Sequence, residues 1–396
     1  MSVHLVGAAH AVHASGAVRA TSAASLVGVV GLPVRVDVRR RLRVGDRVRV
    51  RDADAILATL DGGARLDGLP FMPEMWRYLG RTLVVEAVVH RTCDTVKTGG
   101  TSGTTRAMQR VVHLGGLRCD GSAHGGCQAR CLVYWKEDWL ERVPPGHDAT
   151  SAPVPAGDPP ATLLAATAGE GSDADDPVWS CQATELLEAS SFVSARDPGP
   201  WLADIASGNA RPRDTVRSLA VLLFNKLQAR SRRLPRWLRL HDGRSWPWFT
   251  PTGERRKRAP LGLEPGDMVE IRSQAEIEAT LDAAGALRGL RFSAEMLPFC
   301  GTRARVLGRV ERIIDEQTGR MLSLRDCIML DGVWCQGTYR ALCRRKIYTY
   351  WREAWLRRAD EPPATPVDGP GGRQYPRPLS AGGADLSPPP AEQDHE

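Results

Sequence analysis

The alternation of polar and apolar residues predicts a short strand at two distant places in the chain. The segments GDRVRVR, from Gly45, and GDMVEIR, from Gly266, place apolar residues on alternate positions directly after a turn. Each is followed by two apolar residues four positions apart, Ile56 and Leu60 in the first case, which is the spacing of a short helix. The pattern therefore indicates a strand followed by a helix at both places.

These two places belong to an internal repeat. Residues 45–80 align without gaps to residues 266–301, and 16 of the 36 aligned positions are identical. The alignment resumes between residues 113–140 and residues 329–356, where the motif YW[KR]ExWL recurs. A unit of about 100 residues present in two copies predicts two domains of one fold rather than a solenoid, which needs at least three repeats.

The remaining strands of the repeat are clearest in the second copy. Residues 302–315 are predicted to form a long strand, residues 316–319 a turn, and residues 321–335 two strands about the turn LDG. In the first copy the corresponding turn is lengthened to a loop over residues 94–105, which we expect to be mobile. Several short strands joined by tight turns predict a mainly β fold with a helical insert, in which the copies are two tandem SH3-like small β-barrels.

Shifts in composition divide the chain into seven segments. Stretches rich in Pro, Ala, Gly and Asp predict disorder, and helical spacing of apolar residues predicts a helical insert between the two copies. The predicted segments are a disordered leader (1–40), β-barrel module 1 (41–143), a disordered linker (144–177), a helical segment (178–233), a basic aromatic linker (234–260), β-barrel module 2 (261–360) and a disordered tail (361–396).

The overall charge changes this picture little. The chain of 396 residues has a net charge of +7, but only five of its 53 basic residues are lysine, so the arginine content partly reflects codon usage. No apolar run approaches the ~20 residues that cross a bilayer, and the first 30 residues lack the basic start of a signal peptide. We therefore expect a cytoplasmic protein without a membrane partner, whose nine cysteines stay reduced.

The cysteines are the clearest candidates for a metal site. Each module holds four of them, which is the number of ligands in a closed zinc site. The alternative is that they are small buried apolar residues, and a zinc site in at least one module remains a hypothesis because no CxxC pair is present. The candidate ligands are Cys93, Cys119, Cys127, Cys131 and His124 in module 1, and Cys300, Cys327, Cys335 and Cys343 in module 2.

Acidic residues that recur in both copies are weak candidates for catalysis. They are Asp61 with Asp282, and Glu74 with Glu295. Paired carboxylates serve general acid–base chemistry, but we favour a structural role in which they cap a helix or accept backbone N–H groups at a turn. Cys127 beside His124 is a further candidate, as a thiol nucleophile with a base.

The segment 232–258 alternates arginine with aromatic residues, which favours contact with nucleic acid or an anionic polymer. The interpretation that we prefer is a linker whose tryptophans pack on module 2. The candidate binding residues are Trp237, Trp246, Trp248, Arg255 and Arg256.

The double pattern GDxVx[VI]R, TLD, GLxFxxEM, RCDGSAHGGC and YWKExWL resembles a family of bacterial tandem-repeat proteins with SH3-like modules containing Cys and Trp. The resemblance covers residues 40–360 and implies a small-barrel fold and genes near polysaccharide or natural-product biosynthesis genes, with no established activity. Leu79 stands where members of that family often have Cys. The hexamer CDGSAH also resembles the CDGSH iron–sulfur signature, with one inserted residue.

We therefore expect a binding or scaffold protein with zinc as its one expected cofactor. It would act beside a biosynthetic machinery and contact a partner protein or a biosynthetic intermediate. An enzyme or enzyme subunit with a site between the modules is the first alternative, and a nucleic-acid-binding protein that uses residues 232–258 is the second.

Overall fold

Two five-stranded antiparallel sheets dominate the fold, which is mainly β with a few helices. The computed structural model describes residues 41–95, 105–144, 157–194, 197–254 and 258–359. The leader, the tail and most of the loop 94–105 lie outside the described residues, so their expected disorder stays a prediction. None of the described helices is both long and apolar enough to span a bilayer.

The helices are few and mostly short. They are α1 (Ala53–Leu57), α2 (Ala161–Ala165), α3 (Gly199–Ala206), α4 (Pro212–Ser231) and α5 (Gln274–Glu278). Short 3₁₀ helices occur at Pro73–Tyr78, Glu137–Trp139, Thr184–Leu187, Arg236–Leu238, Leu240–Gly243, Ala294–Phe299 and Glu353–Trp355.

The strands are short and antiparallel. In the first half of the chain they are β1 (Arg47–Val50), β2 (Arg65–Leu66), β3 (Leu69–Pro70), β4 (Thr82–Val88), β5 (Thr92–Cys93), β6 (Thr105–Ala107), β7 (Val111–Leu114), β8 (Trp135–Lys136), β9 (Leu140–Arg142) and β10 (Ser191–Phe192). In the second half they are β11 (Met268–Ile271), β12 (Ala286–Leu287), β13 (Leu290–Arg291), β14 (Arg303–Arg309), β15 (Arg312–Ile314), β16 (Met321–Ser323), β17 (Cys327–Trp334), β18 (Tyr348–Arg352) and β19 (Leu356–Arg358).

The two large sheets have the same strand order. It is β8-β7-β4-β1-β9 in module 1 and β18-β17-β14-β11-β19 in module 2. A three-residue 3₁₀ turn carries the chain from β8 at one edge to β9 at the other. Because three residues span only ~10 Å, the sheet must curl until its edges are close. The edge strands do not pair with each other, so these described strands form half-barrels rather than the closed barrels expected from the sequence.

Equivalent aromatic side chains fill the two cores. In module 1 Phe71 meets Trp139 edge to face at 5.1 Å, and the indole N–H of Trp139 donates to Thr59 Oγ1 at 3.0 Å. In module 2 Phe292 meets Trp355 at 5.5 Å, and that indole donates to Thr280 Oγ1 at 2.9 Å. The indoles of Trp139 and Trp355 thus keep their polar N–H groups satisfied while their rings fill the two cores.

The strand and helix predictions at the start of each copy agree with β1, α1, β11 and α5, but two details differ. Residues 302–315 form β14 and β15 with a break between them. The LDG sequence lies inside β17, where the register with the neighbouring strand shifts, instead of forming a turn. Because β17 pairs with β14 on one side and with β18 on the other, the glycine forms a bulge within the strand and does not end it.

The middle of the chain also differs from expectation. Residues 157–177, placed in a disordered linker by their composition, include α2 and bury Leu163 at 1% exposure. Residues 178–233 are only partly helical, since they also contain β10 and a 3₁₀ turn. Leu163 belongs to the buried apolar core of module 1, and this burial helps to order a segment whose composition predicts disorder.

Two loops of equal length lie between β7 and β8 in module 1 and between β17 and β18 in module 2. The first cysteine loop is residues 118–131, and the second cysteine loop is residues 334–347. Both make a tight turn in which the carbonyl of one glycine, Gly121 or Gly337, accepts two backbone N–H groups. Both glycines have positive φ, +76° and +68°, and a Cβ at either would overlap the carbonyl oxygen of Cys127 or Cys343.

We expect Gly121→Ala to lower the free energy of unfolding by more than the ~1–2 kcal/mol that positive φ costs an alanine, because its Cβ also collides with the backbone. Urea unfolding measures the change. Gly301→Ala is the matched control, since Gly301 has φ +76° and open space around its Cβ position. Equal losses for the two variants would contradict the proposed collision.

Candidate metal site

The two cysteine loops each contact the opposite module. Cys127 Sγ in the first loop accepts the backbone N–H of Ile314 in β15 at 3.4 Å. Cys343 Sγ in the second loop accepts the backbone N–H of Cys93 in β5 at 3.1 Å. Cys127 aligns with Cys343 and Cys93 with Ile314, so the two contacts are equivalent and relate the modules by an approximate two-fold axis.

Three side chains of module 1 form a buried cluster, the Glu–Cys–His triad of Glu74, Cys119 and His124. The thiol of Cys119 donates to Glu74 Oε1 at 3.1 Å, and its sulfur lies 3.4 Å from His124 Nε2. His124 Nδ1 lies 3.6 Å from Glu74 Oε1. Among the described residues this is the one group of three His, Cys, Asp or Glu side chains whose ligand atoms all lie within 4.8 Å of one another.

Local structure brings these residues together. Glu74 lies on the 3₁₀ turn Pro73–Tyr78, and Arg77 on the same turn forms an ion pair with Asp120 at 2.8 Å. Asp120 also accepts the N–H of Ser122 at 3.0 Å, which closes the loop after Cys119. The loop is therefore held against the turn that carries Glu74.

The charges and hydrogen-bonding groups of the triad are not fully paired by the described residues. Burial, and then the negative charge of Glu74, raises the pKa of the Cys119 thiol far above its usual range. Burial lowers the pKa of His124, so the imidazole is neutral at pH 7. Glu74 Oε2 and His124 Nδ1 are buried without a hydrogen-bond partner, and such atoms are costly unless something else binds them.

A cavity of about 40 Å³ borders the triad. Its wall combines both modules and the segment between them: it includes Cys127, Cys131, Cys181, Ile314 and Glu316. Burial raises the pKa of Cys131 to about 12 and that of Cys181 to about 11, so both thiols are protonated at neutral pH. The cavity has room for about three water molecules.

At the equivalent position in module 2, the buried glutamate has different neighbouring groups. Glu295 Oε1 accepts the backbone N–H of Tyr339 at 2.7 Å, and Arg340 stands where module 1 has His124. Burial still raises the pKa of Glu295 to about 7, against the opposing effects of Tyr339 and Arg340. Burial, with Glu295 nearby, also raises the pKa of Cys335.

The other predicted cysteine ligands are dispersed. Cys93 of module 1 pairs with Cys343 of module 2, and the hydrogen bond between their sulfurs lowers the pKa of Cys93 to about 6 and raises that of Cys343. Cys300 packs against the second core, and Cys327 accepts from Arg352 Nη1 at 3.4 Å. The structure therefore does not gather four thiols of one module around a point.

The remaining acidic candidates, Asp61 and Asp282, stabilise turns of the backbone. Asp61 Oδ1 accepts the backbone N–H of Gly63 and of Arg65, both at 2.9 Å. Asp282 Oδ1 accepts from Ala284 and Ala286 in the same way, at 2.9 and 3.0 Å. These carboxylates are occupied by the backbone that follows them.

Of the predicted nucleic-acid-binding residues that the structure describes, only Trp237 is freely exposed, at 81%. Trp248 stacks on His241 with ring centroids 3.6 Å apart and meets Trp246 edge to face at 4.8 Å. These two indoles therefore pack against each other and do not form separate surfaces on which bases could stack. Arg255 and Arg256 lie outside the described residues.

Sequence reasoning missed three residues near the triad. Cys181 and Glu316 line the cavity, and Gln182 is buried there, where its side-chain amide bonds the backbone of Pro70 and Tyr134. Cys181 and Gln182 lie in the segment between the modules, and Glu316 lies in the predicted turn EQTG. No repeat or spacing signal connects them to Cys119.

Comparisons with known protein families, with curated proteins and with solved structures find no match to this chain. The site is therefore interpreted from the geometry of its own residues. Module 2 provides the internal reference, because it places different side chains on the same backbone.

The variant Glu295→Gln tests whether Glu295 is the source of a buried negative charge in module 2. Because folding holds the pKa of this carboxyl near 7, above its ordinary value of 4.5, the folded protein takes up a proton in that window, and the free energy of unfolding falls as the pH rises through it. Glutamine keeps the acceptor for Tyr339 and carries no charge. We expect the stability gain of the variant over the parent to be about 2–3 kcal/mol larger at pH 8 than at pH 5.

Urea unfolding at both pH values measures this difference. Glu141→Gln, at an exposed carboxyl on β9, is the control and should show no such change. If the parent and Glu295→Gln respond equally to pH, Glu295 does not carry the buried charge.

Proposed function

We propose that this chain is a metal-binding scaffold protein in which Glu74, Cys119 and His124 hold one zinc ion. The observation that carries the proposal is the buried triad with its two unpartnered atoms, Glu74 Oε2 and His124 Nδ1. A divalent cation would supply the positive charge that the buried carboxylate lacks.

The donor set suits zinc. One thiolate sulfur, one imidazole nitrogen and one carboxylate oxygen are all zinc ligands, and this mixture of soft and hard donors does not suit Mg²⁺ or Ca²⁺. Ligand bonds of 2.0–2.3 Å place two donors on a tetrahedral ion about 3.5 Å apart. The sulfur of Cys119 lies 3.1 Å from Glu74 Oε1 and 3.4 Å from His124 Nε2, both close to that length, and the three ligand atoms, one from each residue, all lie within 4.8 Å of one another.

In both modules one oxygen of the buried glutamate lacks a hydrogen-bond partner, but the residues near that glutamate differ, and this difference supports a metal site in module 1 alone. Module 2 supplies a backbone N–H from Tyr339 and the fixed charge of Arg340. Module 1 has the neutral His124 at the position of Arg340. Arginine cannot ligate a metal because it is always protonated.

The size of the cavity favours a binding or structural role over catalysis. Three protein ligands beside an open space is also the arrangement of catalytic zinc sites, and this supports the alternative of an enzyme with its site between the modules. A cavity of about 40 Å³ holds only a few waters, whereas pockets for small-molecule substrates measure ~300–1,000 Å³. We therefore favour the scaffold.

The scaffold itself would consist of two SH3-like half-barrels joined face to face. The strand order, with the fifth strand returning beside the first after a single 3₁₀ turn, supports that fold class. The resemblance to tandem-repeat proteins supports a role beside a biosynthetic machinery, with a partner protein or a biosynthetic intermediate as the bound species.

The test is zinc binding by the purified, reduced full chain. After dialysis against zinc and then buffer, elemental analysis should find one zinc per chain, and Co²⁺ in its place should give the sulfur-to-cobalt absorption of a thiolate ligand. Bound zinc should also raise the melting temperature, since a ligand at 1,000 times its Kd adds about 4 kcal/mol to stability.

The His124→Arg variant carries the residue of module 2 and should lose the zinc while remaining folded. Cys119→Ser should lose the thiolate absorption of cobalt. Cys300→Ser, which changes a thiol in the second core, is the control and should keep one zinc. A folded parent chain without zinc, or zinc retained by His124→Arg, would refute the proposal.

A further inference from the structure

The positive charge of the chain is concentrated in one segment. Residues 211–244 contain ten basic and two acidic residues, a surplus of eight, while the whole chain has a surplus of seven. The rest of the sequence is therefore almost neutral. This segment comprises α4 and the two 3₁₀ turns that follow it.

Helix α4 turns polar side chains toward the rest of the protein. Ser218 Oγ donates to Thr338 O at 3.3 Å, and Gln228 Nε2 donates to Leu240 O at 3.0 Å. Asn225 donates to Trp246 O at 2.9 Å and accepts from Trp246 N at 2.6 Å. The helix is thus docked largely by hydrogen bonds, with Phe224 packed edge to face against Trp248.

The opposite face of α4 is apolar and exposed. Val216, Leu219, Leu223 and Leu227 are between 41% and 66% exposed. Their spacing of three, four and four residues places them in one row along the helix. A surface helix normally buries such a row against its own core, whereas none of the residues that the structure describes covers this one.

Basic residues border the row. Arg213 and Arg217 lie on one side of it, and Lys226 and Arg230 lie on the other side and near its end, by the angle of 100° per residue. All four are exposed. The surface therefore combines a narrow apolar row with a positively charged border.

We propose that this row binds an amphipathic helix of a partner protein, whose apolar seam is bordered by acidic residues. A row with three- and four-residue spacing is the complement of another helix, and the basic border requires acidic residues opposite it. The proposal rests on the scaffold role proposed above and identifies the class of partner. It does not depend on the metal.

Other occupants fit less well. A second copy of this chain would bring two basic borders together, which repel. A nucleic acid would use the basic residues but leave the leucines without a partner. An anionic membrane would take up a broad apolar face, whereas these side chains form a single row.

The test uses the full chain and a synthetic helical peptide of about three heptads, with Leu at positions a and d and Glu at e and g. Fluorescence anisotropy of the labelled peptide should show saturable binding that weakens as salt rises. A second peptide with Lys in place of Glu should not bind. Leu223→Ser combined with Leu227→Ser should weaken binding at least about tenfold, from the loss of two buried leucines.

Two further variants separate apolar from electrostatic contributions. Leu164→Ser removes a leucine of α2 that is 46% exposed and should leave binding unchanged. Arg217→Glu combined with Lys226→Glu should lose the acidic peptide and gain the basic one. Circular dichroism checks that each variant is folded.

Three results would overturn the proposal. The first is equal binding of both peptides, or of neither, by a folded chain. The second is self-association of the chain in sedimentation, lost in the Leu223/Leu227 variant, which would assign the row to a second copy. The third is retention on vesicles of phosphatidylglycerol and phosphatidylcholine, lost in that same variant, which would assign it to a membrane. Zinc stoichiometry of the same samples shows whether the metal proposal stands independently.

Discussion

The structure depends on a crossed contact between the two modules. Each cysteine loop leaves its own sheet and places a sulfur on a backbone N–H of the other, Cys127 on Ile314 and Cys343 on Cys93. The contacts are equivalent because aligned positions of the two modules make them, so the interface resembles that of a symmetric dimer within one chain. This crossing brings Ile314 and Glu316 of module 2 to the cavity beside the triad of module 1.

The contacts of each cysteine loop with the opposite module also explain why the number of cysteines does not indicate a four-thiol metal site. Four thiols per module suggested a closed metal site, yet the thiols serve several purposes: one contacts the buried Glu74, two accept cross-module N–H groups, and others fill apolar space. Burial disfavours the thiolate, so most of these side chains behave as small apolar groups. Cys93 is the exception, because the thiol of Cys343 stabilises its negative charge.

The two modules show how one backbone accommodates a buried carboxylate in two ways. In module 2 a backbone N–H and the nearby Arg340 offset only part of the effect of burial on Glu295, whose Oε2 also lacks a hydrogen-bond partner. In module 1 the loop offers the Cys119 thiol and a neutral imidazole, and two polar atoms stay unpartnered. The loop turns are otherwise alike, so the difference lies in side-chain chemistry at one pair of aligned positions, His124 and Arg340.

The sequence by itself determined the local structure of each copy. Alternating residues fixed β1 and β11, the caps Asp52 and Ser273 begin α1 and α5, and the aligned Gly121 and Gly337 require the same loop turn. These features depend on neighbouring residues, which a linear pattern records. Only the tertiary structure decided that His124 is buried against Glu74, that Cys93 belongs with Cys343, and that α4 turns its leucines outward. Those outcomes depend on contacts between residues up to 250 positions apart, and no periodicity within one segment contains that information.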